Sequence, residues 1–287
     1  MSDTTRTTHT FVDADGVTIH YYVWKASSPR AVVQLLHGVG EYAMRYELFA
    51  STLASAGYTV YANDHRGHGA TGMEQHGGDV SKLGTLGPRG VRGAIAAVEQ
   101  LTDIIRQAEA GLPLVLFGHS LGSIFAQKMV GVHASAYDGV VLSATAYRTL
   151  LHMRGGDLNA QHKHLGTTGA EWLSRDPAVA AAFVADPLTF DARVMELFGI
   201  VDSLRLLGTP RRLDADIPML IMIGDDDSLG GRKSVELLAK AYRERGGLTD
   251  VTLTIYPGGR HEMLNETNQA EVRADIIAWL DAHVGGS

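Results

Sequence analysis

Short apolar runs and longer periodic stretches alternate along this chain. Residues 31–36 and 114–117 are apolar runs too short for helices, as strands covered on both faces would be. Further strands are expected at 58–62, 139–143, 218–223 and 251–256, with helices over about 43–56, 89–110, 232–245 and 268–283, and another running from the residues after 120 through 130. Near the start, 10–12 and 17–24 read as a hairpin turning at Asp15-Gly16. Strand alternating with helix predicts an α/β architecture, a mostly parallel central sheet flanked by helices on both faces.

That rhythm breaks between about Ala146 and Gly208. This stretch has little β character and reads as short helices. One is expected at 177–185 with Pro177 in its first turn, and one from Asp191 with Val194, Leu197, Phe198 and Val201 at helical spacing. The simplest organisation is one core domain formed by 1–145 and 209–287, carrying a helical cap insertion at 146–208.

At 287 residues the chain is long enough for one large core plus such an insertion. Its formal net charge of -7, with no basic run, argues against a nucleic-acid partner. The absence of cysteine excludes disulfides, thiolate chemistry and Cys-based zinc sites, and fits the cytoplasm. The first ten residues are polar and lack the apolar stretch of a secretory signal, and no apolar run approaches the ~20 residues of a membrane helix. A soluble, cytoplasmic protein is the expectation.

Chemistry enters at Gly118-His119-Ser120-Leu121-Gly122, a G-x-S-x-G between an apolar strand and a helical stretch. A sharp strand-to-helix turn places the serine at its apex, and larger residues at 118 and 122 would clash there. The hydroxyl then stands at the carboxyl end of its strand, where open α/β sheets bind ligands. A serine hydroxyl needs a base. Of the 13 histidines, His261 follows the strand at 251–256 on a Gly258-Gly259 loop leaving the same rim. His283, on the last helix, reads as a surface residue, and His152, His162 and His164 as solvated loop histidines rather than a metal site. The base needs an acid. Asp225, Asp226 and Asp227 all follow the strand at 218–223, and spacing alone does not choose among them. Hydrolases built on such a sheet draw their oxyanion donors from the amide after the nucleophile, here Leu121, and from a loop after an early strand, here His37-Gly38-Val39-Gly40, which makes Val39 the second candidate. His37 is expected to brace that loop.

Five motifs in chain order resemble one family. They are His37-Gly38-Val39-Gly40-Glu41 with Arg45-Tyr46, Asp64-His65-Arg66-Gly67-His68-Gly69, the elbow around Ser120, Gly224-Asp225-Asp226-Asp227, and Tyr256-Pro257-Gly258-Gly259-Arg260-His261-Glu262. Together they are similar to the monoacylglycerol lipase and lysophospholipase group of the α/β-hydrolase superfamily, the serine aminopeptidase S33-like hydrolases. Ser123 stands where that family often has a second glycine after the elbow, and Ser228-Leu229-Gly230-Gly231 resembles bacterial rather than animal members.

The resemblance implies the α/β-hydrolase fold and selects Asp227 as the acid. It further implies a catalytic set of Ser120, Asp227 and His261, oxyanion donors Val39 and Leu121, supporting loops at His37, Gly38, Gly118 and Gly122, and no metal or organic cofactor. The expected partner is a small-molecule ester. Leu150, Leu151, Met153, Leu165, Trp172, Leu173, Phe183, Phe190, Met195 and Phe198 make the cap rich in large apolar residues. Most such residues pack a cap against its core, and the remainder favour a lipophilic acyl ester, with transient contact to a lipid surface through the cap. General carboxylesterase, amidase or aminopeptidase activity uses the same three residues, and a slow-turnover binding protein is a further reading. Dehalogenase and epoxide hydrolase chemistry would need an aspartate where Ser120 stands.

Overall fold

The computed structural model describes residues 6–191 and 193–284. Eight strands form one sheet in the order β1-β2-β4-β3-β5-β6-β7-β8, comprising β1 (Arg6–Val12), β2 (Thr18–Trp24), β3 (Ala31–Leu36), β4 (Tyr58–Asn63), β5 (Leu114–His119), β6 (Gly139–Ser143), β7 (Met219–Gly224) and β8 (Val251–Tyr256). β2 runs antiparallel to both β1 and β4, and every other pairing is parallel. The carboxyl ends of β3, β5, β7 and β8 therefore open on one rim.

The sheet divides the core in two, because successive side chains of a strand point to opposite faces. On one face Leu114 and Leu116 of β5 pack with α3 (Val91–Ala108), α4 (Leu121–His133) and α7 (Gly231–Ala241). On the other, Val115 and Phe117 pack with α1 (Glu47–Ser55) and α8 (Gln269–His283). β3, β4, β5, β6 and β7 are buried along their whole length, which is why they read as apolar runs rather than alternating ones.

Several boundaries differ from the sequence expectation. α3 starts at Val91 rather than Arg89, because Arg89 and Gly90 are left-handed (φ 60° and 53°). The expected helix 232–245 is α7 followed by one wider turn at Tyr242–Gly246. A further short helix, α2 (Gly69–Gln75), is too brief and glycine-rich for periodicity to reveal.

Between β6 and β7 the described residues contain no strand. They form α5 (Pro177–Ala185), capped by the Asp176 side chain, and α6 (Val194–Arg205). α6 is not one continuous helix, since Gly199 (φ 71°, ψ 171°) breaks it. The spacing of Val194, Leu197, Phe198 and Val201 does not sense a backbone reversal of that kind. Leu150, Leu151 and Met195 are exposed (79, 90 and 57%), while Trp172 and Leu173 are buried.

Candidate active site

Ser120 stands between β5 and α4 with φ 51° and ψ −119°, a strained conformation that costs on the order of 1–3 kcal/mol. Its flanks demand glycine. A Cβ at Gly118 would lie 2.5 Å from the Gly122 carbonyl oxygen, and one at Gly122 would lie 2.2 Å from that of Leu36. Ser123 is fully buried, and its hydroxyl donates to the Ser120 carbonyl at 2.6 Å. The serine in place of a second glycine thus braces the turn. Leu121 opens α4, and the first-turn amides of a helix are not used within it.

His261 follows β8. Its Nδ1 donates to Asp227, 3.0 Å from Oδ1 and 3.1 Å from Oδ2, and both residues are buried. Of the three adjacent aspartates only Asp227 touches His261. Asp225 accepts from the Gly258 amide at 2.6 Å, and Asp226 meets His162 at 2.9 Å. Asp227 Oδ1 is fixed in turn by the Leu229 amide at 2.7 Å. Burial pushes His261 down, but the charge and hydrogen bond of Asp227, followed by Glu262 and Glu41, outweigh it and raise the imidazole above the ordinary histidine value. Its Nε2 is buried and makes no hydrogen bond among the described residues.

Ser120, His261, Gly38, Val39, Trp172 and Phe183 all border one small cavity of about 10 Å³, room for roughly one water molecule. Trp172, Leu173 and Phe183 bring the segment between β6 and β7 against it. The Trp172 ring lies 4.6 Å from that of His261, and the carbonyls of Trp172 and Leu173 accept from the amides of His261 and Glu262 at 3.3 and 2.7 Å.

The early loop is held from below. His37 is fully buried. Its Nε2 accepts from the His65 amide at 2.9 Å, so Nδ1 carries the proton and donates to the Gly38 carbonyl at 2.7 Å. Burial, then the neighbouring His65 and His68, keep it well below the ordinary value, hence neutral. Glu41 takes the Gly38 amide at 2.6 Å and the Tyr46 hydroxyl at 2.7 Å. Arg45 lies between Glu41 and Glu262, at 2.8 and 2.6 Å. The sequence motifs contain Glu41, Arg45 and Glu262, but residue spacing does not disclose that the three meet.

One histidine departs from expectation. His162 is not a solvated loop residue. It is 2% exposed, because the segment between β6 and β7 folds back onto the acid loop and pins it between Asp226 and Ser228 Oγ, the latter at 3.3 Å. His283 lies half-exposed at the surface, as expected. It stacks on Trp279 at 4.6 Å and donates from Nδ1 to the Trp279 carbonyl. Among the described residues no cluster of His, Asp or Glu could hold a metal ion, and no helix is long and apolar enough to cross a membrane.

A serine on a strained strand-to-helix elbow, faced across one rim by a histidine that a carboxylate orients, on a sheet of this strand order, defines an α/β hydrolase. The chain belongs to the serine aminopeptidase S33 family, whose model matches residues 27–268. It is 32% identical to the monoacylglycerol lipase of Mycolicibacterium smegmatis over 99% of this chain and 100% of that one. It is 29% identical to the human monoglyceride lipase, over 94% of this chain and 88% of that one. In fold it resembles a thermostable carboxyl esterase from Bacillus coagulans (TM-score 0.80, 23% identity, 97% and 99% of the two chains). It also resembles a soluble variant of the Saccharomyces cerevisiae monoglyceride lipase in complex with a substrate analog (TM-score 0.73, 21% identity, 96% and 95% of the two chains).

Proposed function

We propose that this protein hydrolyses carboxylic esters of lipophilic acids, of the monoacylglycerol type, through an acyl-enzyme on Ser120. The observation that carries the reading is the His261 ring. Asp227 holds one nitrogen, and the other is buried and unpartnered beside the cavity that Ser120 borders. In the proposed reaction His261 takes the Ser120 proton as the hydroxyl attacks the ester carbonyl, then gives it to the departing alcohol. It next activates water on the acyl-enzyme, while Asp227 stays ionised and stabilises the imidazolium. Val39 and Leu121 amides receive the oxyanion. The Gly38 amide is committed to Glu41, which supports the next amide, Val39, as the donor on that loop, and each such donor contributes on the order of 3 kcal/mol.

The substrate class rests on the relatives, two of which are named for monoacylglycerol or monoglyceride hydrolysis, and on the apolar wall that Trp172 and Phe183 give the cavity. A cavity of about 10 Å³ admits no acyl chain, so residues 146–208 act as a cap that shifts to admit one. Leu151, Ile200, Val201 and Leu204 are exposed on it (90, 66, 62 and 54%) and give the cap an apolar face for transient contact with a lipid surface.

Rates on 4-nitrophenyl esters from acetate to laurate, beside monoacylglycerol, lysophospholipid and aminoacyl amides, test the reading. Rising kcat/KM to octanoate or beyond, with cleavage of monoacylglycerol, is expected. Acetate cleaved far faster than octanoate would make this a short-chain carboxylesterase, and preference for the amides an amidase.

A further inference from the structure

A second concavity, apart from the one at Ser120, borders the base of the cap. It has a volume of about 640 Å³ and lies against the carboxyl-terminal half of α4, where the chain enters the cap at Arg148–Leu150 and leaves it at Leu207–Leu213. Lys128, Arg148 and Arg211 border it, and no aspartate or glutamate does. In a chain with 32 acidic and 25 basic residues, three cations around one cavity without a counter-charge call for an explanation.

Arg148 makes the point most sharply. It is 6% exposed, and a buried charge is ordinarily paired. Its Nε donates to Gln127 Oε1 at 2.9 Å and its Nη1 to the Leu206 carbonyl at 2.8 Å, both neutral acceptors. Among the described residues Nη2 makes no hydrogen bond and no carboxylate lies within ion-pair distance. Position 208 is a glycine, and a Cβ there would sit 3.2 Å from Nη1 and 3.4 Å from Nη2, so a side chain at that position would press on the guanidinium. Lys128 also spends its charge on a carbonyl, that of Arg205 at 2.7 Å. Burial, then the charge of Arg148, push its ammonium below the ordinary lysine value. Arg211 is exposed and has no ion pair or hydrogen bond among the described residues. The carboxyl end of α4 lies close by and opposes an anion with about half a unit charge, against three whole positive charges.

We infer that this cavity binds an amphiphilic oxyanion, a carboxylate or phosphate head on an apolar chain, with the head on Arg148, Lys128 and Arg211. A planar guanidinium takes either head through two parallel hydrogen bonds. Val132, Leu150, Leu207, Pro210 and Leu213 offer the chain an apolar wall. The site is separate from the Ser120 cavity, with which it shares no bordering residue, and it does not rest on the proposed reaction. Because Arg148 belongs to the entry and Leu206–Leu213 to the exit of the cap, an occupant fastens both connections to α4.

Titration calorimetry at low salt with octanoate, octyl phosphate and octanol tests this on the wild-type protein and on a Lys128→Gln/Arg211→Gln variant, which removes two exposed or half-exposed charges and leaves buried Arg148 in place. One equivalent of octanoate or of octyl phosphate is expected to bind the wild type, at least tenfold more tightly than octanol, weakening as sodium chloride is added. The preferred head identifies the source, a fatty acid or a phosphate ester. The double variant is expected to lose that equivalent or weaken it tenfold or more, while its hydrolysis of a 4-nitrophenyl ester stays unchanged. Equal binding of octanol, binding unaltered in the double variant, or no binding of either anion at millimolar concentration would overturn the inference.

Discussion

Arg45 grips Glu262 through two parallel contacts, Nη1 to Oε1 at 2.6 Å and Nη2 to Oε2 at 2.9 Å. Both residues are buried or nearly so, and Glu262 is the neighbour of His261. The same Nη1 reaches Glu41, whose carboxylate holds the Gly38 amide. One guanidinium therefore ties the loop of Val39 to the loop of His261. Burial alone would raise the Glu262 carboxyl, but the Arg45 charge and hydrogen bonds override it and hold it low.

Arg45→Met leaves two buried carboxylates facing each other, a change expected to destabilise the fold by about 3–5 kcal/mol and to lower kcat more than it raises KM. Arg45→Lys keeps the charge but not the paired contacts, and should fall between. Urea unfolding and steady-state kinetics on both variants check this. An Arg45→Met protein as stable as the wild type would show that the bridge holds nothing together.

Gly40 is where the segment between β6 and β7 rests on the same loop. Its carbonyl accepts from the Phe190 amide at 3.0 Å, its φ is 75°, and a Cβ would lie 2.2 Å from the Phe190 carbonyl oxygen. Gly40→Ala must push the loop or the Phe190 backbone aside. The expected result is a loss of roughly 1–3 kcal/mol of stability and a fall in kcat of about tenfold or more, as the Val39 amide moves. Unchanged kcat would place the oxyanion elsewhere.

Acid should unfold this protein through its buried histidines. Burial lowers His65 to about 3 and His68 to about 4, and His37 and His119 are pushed well down in the same way. A histidine with a depressed folded value is protonated more readily in the unfolded chain, so stability is present at neutral pH and falls as pH drops below about 6.5. Between pH 7 and 4.5, His65 and His68 each cost roughly 2–3 kcal/mol. Asp64 works the other way. Burial raises it to about 6, so it regains about 2 kcal/mol over that interval. The balance favours unfolding in acid, and the urea midpoint should drop by a corresponding amount between pH 7 and 4.5. A midpoint that rises on acidification would contradict it.

Activity should show an acid limb of its own. His261 must be neutral to accept the Ser120 proton, and its value is raised by Asp227. The kcat/KM profile should therefore rise with pH to a midpoint above the ordinary histidine value of 6.5. Asp227→Asn removes the charge and the orientation together. The expected outcome is a loss on the order of 10⁴ in kcat with the residual activity titrating at lower pH. A midpoint unmoved in Asp227→Asn would assign the titration to another group.

Much of this was legible in the sequence because it is local. Apolar runs marked strands buried on both faces, and a glycine on either side of Ser120 marked a turn that tolerates no Cβ. What stayed hidden depends on chain segments meeting. Three equivalent aspartates in a row gave spacing no means of choosing; the resemblance named Asp227, and only the folded loop shows why Asp225 faces Gly258 and Asp226 faces His162. His162 read as solvated because its burial is created by residues 64 and 66 positions away. The Arg45 bridge spans 217 positions. Gly199 breaks α6 within an apolar spacing that looks continuous.

The central claim is that Ser120 is the nucleophile, and its most direct test is mass spectrometry of the protein after treatment with a fluorophosphonate. One adduct per chain, mapped to the peptide carrying Ser120, with ester hydrolysis lost in parallel and neither adduct nor hydrolysis in Ser120→Ala, is the predicted result. An adduct on another residue, or hydrolysis that persists in Ser120→Ala, would contradict the account.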